Sequence, residues 1–122
     1  MIGYMSFGTN DFKRAAAFYD TLLGELGAKR VMDYDTFVAW SQGKGKPGFA
    51  LAEPYNKQPA TVGNGSMVAF EVENPTRVDA MYRKALELGA TDEGPPGPRG
   101  DDYYGAYLRD LDGNKLNFHC YT

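Results

Sequence analysis

His119 and Cys120 are the single histidine and the single cysteine of the chain, and they are neighbours. Imidazole is the side chain that changes charge near neutrality, so His119 is the natural candidate for a general acid or base. Cys120 would be an activated nucleophile if an imidazole reached its thiol. Adjacent residues of a strand point to opposite faces, so a Cys–His dyad is not expected. One histidine excludes an intrachain two-histidine metal centre, and one cysteine excludes an intrachain disulfide and a cysteine zinc site. The remaining candidates are aromatic and polar. Nine Tyr, seven Phe and one Trp must pack a core, line a pocket, or do both.

Several local patterns imitate functional motifs. Gly43-Lys44-Gly45-Lys46-Pro47-Gly48 matches a dinucleotide-loop spacing, but it lies between two strand-like pieces and opens no helix. It is expected to be a hairpin loop. Asp110, Asp112 and Asn114 imitate the start of a calcium loop, yet Lys115 stands where the loop needs Gly and Tyr121 where it needs Glu. That segment is expected to be a turn. Tyr103, Tyr104 and Tyr107 follow the Pro/Gly-rich stretch Gly94–Gly100, which reads as a flap or as a tyrosine-anchored surface loop.

The elements that must position these residues come from 122 residues, enough for one compact domain. Hydrophobic residues are 43% and charged residues 24%, a globular balance that argues against disorder. No apolar run reaches membrane-spanning length, and the N-terminus does not read as a secretion signal. The net charge of −3 argues against nucleic acid as the main partner. With a lone cysteine, a cytoplasmic setting is expected.

The chain repeats itself. Glu-Leu-Gly-Ala occurs at Glu25–Ala28 and again at Glu87–Ala90, about half the chain apart. A slide of 63 residues, which becomes 62 at the repeated tetrapeptide, aligns Phe7 with Phe70, Arg14 with Arg77, Ala17 with Ala80, Tyr19 with Tyr82 and Leu23 with Leu86. In each half an alternating strand (Ile2–Thr9, Ser66–Glu73) leads into an amphipathic helix. The first helix is capped by Asn10 or Asp11 and the second by Asn74, with Pro75 at its first position. Gly27 and Gly89 suit their C-terminal ends. Phe12, Ala15, Ala16, Tyr19, Leu22, Leu23 and Leu26 form the first apolar stripe, and Val78, Met81, Tyr82, Ala85 and Leu86 the second. Three short strands follow each helix: Arg30–Tyr34, Thr36–Ser41 and Phe49–Ala52, then a weak piece at Ala90–Asp92, Tyr103–Arg109 and Lys115–Tyr121. The expected fold is α+β, a single domain of two tandem βαβββ modules at about 1–54 and 65–122, joined by a linker at 55–64.

That duplicated unit resembles the glyoxalase / bleomycin-resistance / extradiol-dioxygenase superfamily, also called vicinal oxygen chelate. The signposts are Thr9-Asn10-Asp11, Ala17-Phe18-Tyr19, Met67-Val68-Ala69-Phe70 and the turn Arg109-Asp110-Leu111-Asp112-Gly113-Asn114. The resemblance implies modules forming a cupped mixed sheet with helices on its outer face, and often a homodimer. It does not imply one reaction, because the scaffold hosts lyases, dioxygenases, thiol transferases and drug-binding proteins. Metal-dependent members place histidine or carboxylate ligands on four strands. The matching positions here are Tyr4, Met67 and Asn117, and the fourth falls in Phe49–Ala52, with Glu53 just beyond it. Tyr, Met and Asn suit a hard divalent ion poorly.

Alternation places Tyr4 and Ser6, then Met67, Ala69 and Glu71, then Lys115, Asn117, His119 and Tyr121 towards the cup. The expected function is binding of a small organic molecule in an aromatic-lined cup without metal. The ligand-binding set is Tyr4, Ser6, Met67, Glu71, Tyr104, Tyr107, Asn117 and His119. The alternative is a lyase or dioxygenase of the glyoxalase type, metal-dependent or metal-free, with His119 and Tyr4 as acid/base. No cofactor is expected, and a divalent metal stays open. A small-molecule ligand and a second copy of the chain are the expected partners, with neither nucleic acid nor membrane.

Overall fold

The computed structural model describes residues Met1–Thr122. It divides into two compact units, Met1–Val62 and Gly63–Thr122. The first contains β1 (Tyr4–Gly8), α1 (Phe12–Gly24), β2 (Lys29–Tyr34), β3 (Phe37–Ser41) and β4 (Gly48–Ala52). The second contains β5 (Val68–Glu71), α2 (Pro75–Glu87), β6 (Thr91–Pro98), β7 (Tyr103–Arg109) and β8 (Lys115–Tyr121). Each unit holds a four-stranded mixed sheet, ordered β1-β4-β3-β2 in one and β5-β8-β7-β6 in the other. In both, the first strand pairs parallel with the last and the other pairings are antiparallel. The duplicated sequence therefore gives the same α+β topology twice.

In the first unit, Asp11 caps α1 by accepting a hydrogen bond from the Arg14 N–H. Ala15, Ala16, Phe18, Tyr19, Leu22 and Leu23 are buried on the helix. They meet Phe7, Val38, Trp40, Phe49 and Leu51, which alternation turns to one face of the sheet. Burying side chains of this size contributes about 1.5–3 kcal/mol each. Trp40 is core: its Nε1–H donates to Asp20 at 2.9 Å, and Arg30 grips the same carboxylate at 2.7 and 2.8 Å. Residues 55–62 belong to this unit. Asn10 holds them by accepting from the Ala60 N–H at 2.7 Å and donating to the Ala60 carbonyl at 3.2 Å.

In the second unit, Asn74 caps α2 and Pro75 opens it. Val78, Met81 and Ala85 face Val68, Ala106, Leu108, Leu116, Phe118 and Cys120 of the sheet. Two stripe residues differ from the sequence expectation. Leu86 is exposed, and Tyr82 is half-buried with its hydroxyl donating to Asp92 at 2.9 Å. Gly27 and Gly89 both have positive φ after their helices, 77° and 104°, the left-handed stop that glycine adopts without strain.

The sequence reading falls short at Thr91–Pro98. The weak piece at Ala90–Asp92 extends into an eight-residue strand paired with β7, so most of Gly94–Gly100 is neither a flap nor a surface loop. Its register shifts at Asp92/Gly94 and Gly94/Gly97, which accommodates Pro95 and Pro96 where a regular ladder would need their missing N–H groups. Arg99 fastens the end, donating to the Pro95 carbonyl at 2.7 Å and lying 5.6 Å from the Tyr107 ring centroid.

Candidate functional site

The two sheets have identical topology but unequal chemistry on the face away from the helix. In the first unit that face carries Tyr4, Ser6, Phe37, Ala39 and Ala50. Tyr4 is exposed and meets Phe37 edge-on at 6.1 Å, and Ser6 is exposed beside it. No acid–base pair forms there among the side chains.

In the second unit the same face is polar and aromatic, and one turn sets it up. Asp110 Oδ1 accepts from the N–H groups of Asp112 and Asn114, each at 2.9 Å, and Asn114 Nδ2 donates to Asp110 Oδ2. The carboxylate that imitates a calcium ligand is thus spent on its own turn. The turn fixes the β7–β8 register, pairing Tyr107 with Asn117, Gly105 with His119 and Tyr103 with Tyr121. On the parallel side, Glu71 of β5 pairs with His119 and Ala69 with Asn117. One face therefore carries Glu71, Tyr103, Gly105, Tyr107, Lys115, Asn117, His119 and Tyr121, with Met67 just before β5.

At its centre is a hydrogen-bonded group. Asn117 is fully buried, and its Nδ2 donates to the Ala106 carbonyl at 3.2 Å. That bond orients the amide so that Oδ1 accepts from the Tyr103 hydroxyl at 3.1 Å and lies 2.6 Å from His119 Nδ1. A carboxamide oxygen has no proton to give, so Nδ1 must be the donor and neutral His119 the Nδ1–H tautomer. Nε2 then carries the lone pair. It has no partner in the protein, and no buried side-chain nitrogen or oxygen goes unpaired, so Nε2 reaches the surface. Burial holds the imidazole below its ordinary pKa, partly opposed by the Glu71 carboxylate. The ring is therefore neutral at physiological pH. Burial, then the neighbouring Tyr107, pushes the Tyr103 hydroxyl up, keeping it a donor.

Aromatic rings frame the imidazole. Tyr103 stacks on His119 with centroids 5.0 Å apart and planes 11° from parallel. Tyr121 meets His119 edge-on at 5.5 Å and stands exposed. Tyr107 is flanked by Lys115 Nζ, 5.5 Å from its centroid, and by Arg99.

The structure thus brings together Asn117, His119, Glu71 and Tyr107, with Met67 exposed at the strand's start. Tyr104 lies elsewhere. It projects from the helix side and donates its hydroxyl to Asp79 of α2 at 2.8 Å, which corrects its grouping with Asn117 and His119. Tyr103 takes that place. The signal was present in the sequence: on a strand paired with β8, Tyr103, Gly105 and Tyr107 share the parity of Asn117 and His119. Cys120 is buried on the opposite face from His119, and burial pushes its thiol up.

The donor set does not fit a divalent cation. No three His, Cys, Asp or Glu side chains gather into a group that could hold one. Asn117 Oδ1 already accepts two hydrogen bonds.

A family model for the Glyoxalase/Bleomycin resistance protein/Dioxygenase superfamily matches residues 1–118. A glyoxalase/bleomycin resistance protein from Albidiferax ferrireducens T118 shares 38% identity over 98% of both chains, with a TM-score of 0.87. A glyoxalase/bleomycin resistance protein/dioxygenase family enzyme from Burkholderia phytofirmans PsJN has a TM-score of 0.81 at 20% identity over 98% of both chains. A lactoylglutathione lyase from Agrobacterium tumefaciens has a TM-score of 0.74 at 22% identity, covering 98% of this chain and 92% of its own. The last two likenesses show the fold alone. No functionally curated protein matches the chain. No helix is long and apolar enough to cross a membrane. The matched model and the Albidiferax relative together establish that the chain belongs to the Glyoxalase/Bleomycin resistance protein/Dioxygenase superfamily.

Proposed function

We propose that the protein binds a small organic molecule on the helix-free face of its second unit, at His119, without a bound metal. The observation that carries this reading is Nε2 of His119, an oriented acceptor with no protein partner, set among aromatic rings. Small-molecule sites combine apolar and aromatic lining with a few placed polar groups that fix orientation. Membership of a superfamily that includes bleomycin resistance proteins supports it.

The proposal is tested on chelator-treated protein by thermal unfolding with a library of small aromatic compounds. A ligand at about a hundred times its Kd should stabilise the fold by about 2.7 kcal/mol. His119→Ala should abolish that gain. Manganese, nickel, zinc and iron(II) should leave the melting temperature unchanged. A clear stabilisation by one ion would overturn the metal-free part.

A second reading is a metal-free lyase in which His119 moves a proton. The orientation of its ring by Asn117 favours it, because a positioned, neutral imidazole is what a general base requires. Turnover that disappears in His119→Ala would select this reading over binding alone.

A homodimer in the cytoplasm completes the proposal. The strand β2 lies at a sheet edge with every residue exposed, among them Val31, Met32 and Tyr34. A monomeric mass in light scattering at micromolar concentration would contradict the dimer.

A further inference from the structure

The groups around His119 Nε2 select a ligand chemistry, and this inference rests on the reading that the helix-free face of the second unit is a binding site. In the neutral ring Nε2 offers a lone pair and no proton, because Asn117 commits Nδ1 as the donor. Glu71 is the register partner of His119 on β5, one strand spacing away and on the same face. It is exposed and forms no side-chain hydrogen bond or ion pair, and its charge is felt at the imidazole. Two acceptors, one of them anionic, therefore stand side by side with no donor of the protein between them. The cations on this face are engaged elsewhere: Lys115 sits over Tyr107, Arg99 lies by the same ring and donates to the Pro95 carbonyl at 2.7 Å, and Arg109 holds Glu93 at 2.7 Å. Tyr121, exposed and edge-on to His119, supplies an aromatic surface next to the imidazole.

An anionic ligand would face a lone pair and a carboxylate. A neutral apolar ligand would strip water from Glu71 and return nothing. A planar cation with N–H groups satisfies all three features: one N–H reaches Nε2, the charge lies beside Glu71, and the ring packs on Tyr121. We propose that this face recognises a planar aromatic cation bearing N–H donors, of the amidine or aminopyridine type.

Benzamidine is the probe. It is titrated into isotopically labelled, chelator-treated protein while amide and imidazole resonances are followed, alongside benzoate, phenyltrimethylammonium and benzyl alcohol. Benzamidine should shift Glu71, His119 and Tyr121. Benzoate should bind about tenfold more weakly or not at all, and phenyltrimethylammonium, which has charge but no N–H, should also be weaker by about tenfold. Glu71→Gln should weaken benzamidine by about fivefold or more while leaving benzyl alcohol unchanged. His119→Ala should weaken it as well, and Glu71→Gln keeps the test sound if that variant folds poorly. Equal binding of benzoate and benzamidine, or indifference to Glu71→Gln, would overturn the cation assignment while binding at this face survived. Absence of shifts there with every probe would overturn both this assignment and the broader reading.

Discussion

Tyr103 lies flat on His119 because Gly105, the residue opposite His119 on β7, has no side chain to keep the ring away. A Cβ built on Gly105 would come within 2.8 Å of Tyr103 Cε1 and 3.2 Å of Asn117 Nδ2. The glycine, the tyrosine ring and the imidazole are one packing unit.

Gly105→Ala should therefore lift Tyr103 off His119. Overpacking of this kind costs about 1–3 kcal/mol. Denaturant unfolding gives the loss, and the His119 ring proton shifts should move as the stacked ring departs. A variant of unchanged stability with unshifted His119 resonances would contradict the arrangement.

Asn117→Ala should leave two donors, the Tyr103 hydroxyl and His119 Nδ1–H, without their acceptor. Each buried donor left unpaired costs about 1–3 kcal/mol. Imidazole nitrogen shifts should report a single Nδ1–H tautomer in the parent protein and a mixture in the variant.

The pKa of His119 is lowered by burial, so the folded state disfavours the imidazolium. The groups that face it are Glu71 from β5, Tyr103 and Tyr107 from β7, and Lys115 and Tyr121 on its own strand. Between the folded value and the unfolded one near 6.5, the unfolded chain binds more protons, so stability rises with pH there. The contribution is fully present above about pH 6.5 and is lost as pH falls through the folded value. Melting temperatures from about pH 8 to about pH 5 should fall further for the parent than for His119→Gln. Parallel profiles would remove His119 from the account.

Asp20 is held below the usual carboxylate range, first by its hydrogen bond to Arg30, with burial opposing and Trp40 adding to the lowering. Asp20→Ala removes the Arg30 grip and leaves the Trp40 indole N–H without its acceptor inside the first unit. A loss of about 1–3 kcal/mol is expected, read by unfolding followed through Trp40 fluorescence. Asp20→Asn, which keeps an acceptor for Trp40, should cost less.

Most of the fold was legible because its signals are local. Asn74-Pro75 caps and opens a helix, Gly27 and Gly89 end helices, and period-two alternation names the faces of β1 and β8. The strand at Thr91–Pro98 was not legible past Asp92. Its Gly-Pro-Pro-Gly-Pro composition carries no strand signal, and its pairing depends on the Arg99 bonds and on β7. The faces of Asn117 and His119 could be read from parity. Their hydrogen bond could not, because it depends on the Ala106 carbonyl fixing the amide across a strand pair. Parity sends Tyr104 to α2 and Tyr103 to His119.

The most direct measurement of the central claim is a map of where small molecules bind. Isotopically labelled, chelator-treated protein would be screened against a mixed library of small aromatic fragments by two-dimensional NMR. The shifts of binding fragments should gather on Glu71, Tyr103, Asn117, His119 and Tyr121. Fragments that instead gather in the hollow of about 270 Å³ lined by Thr9, Phe12, Pro54 and Pro59, or that move no residue of the His119 face, would contradict it.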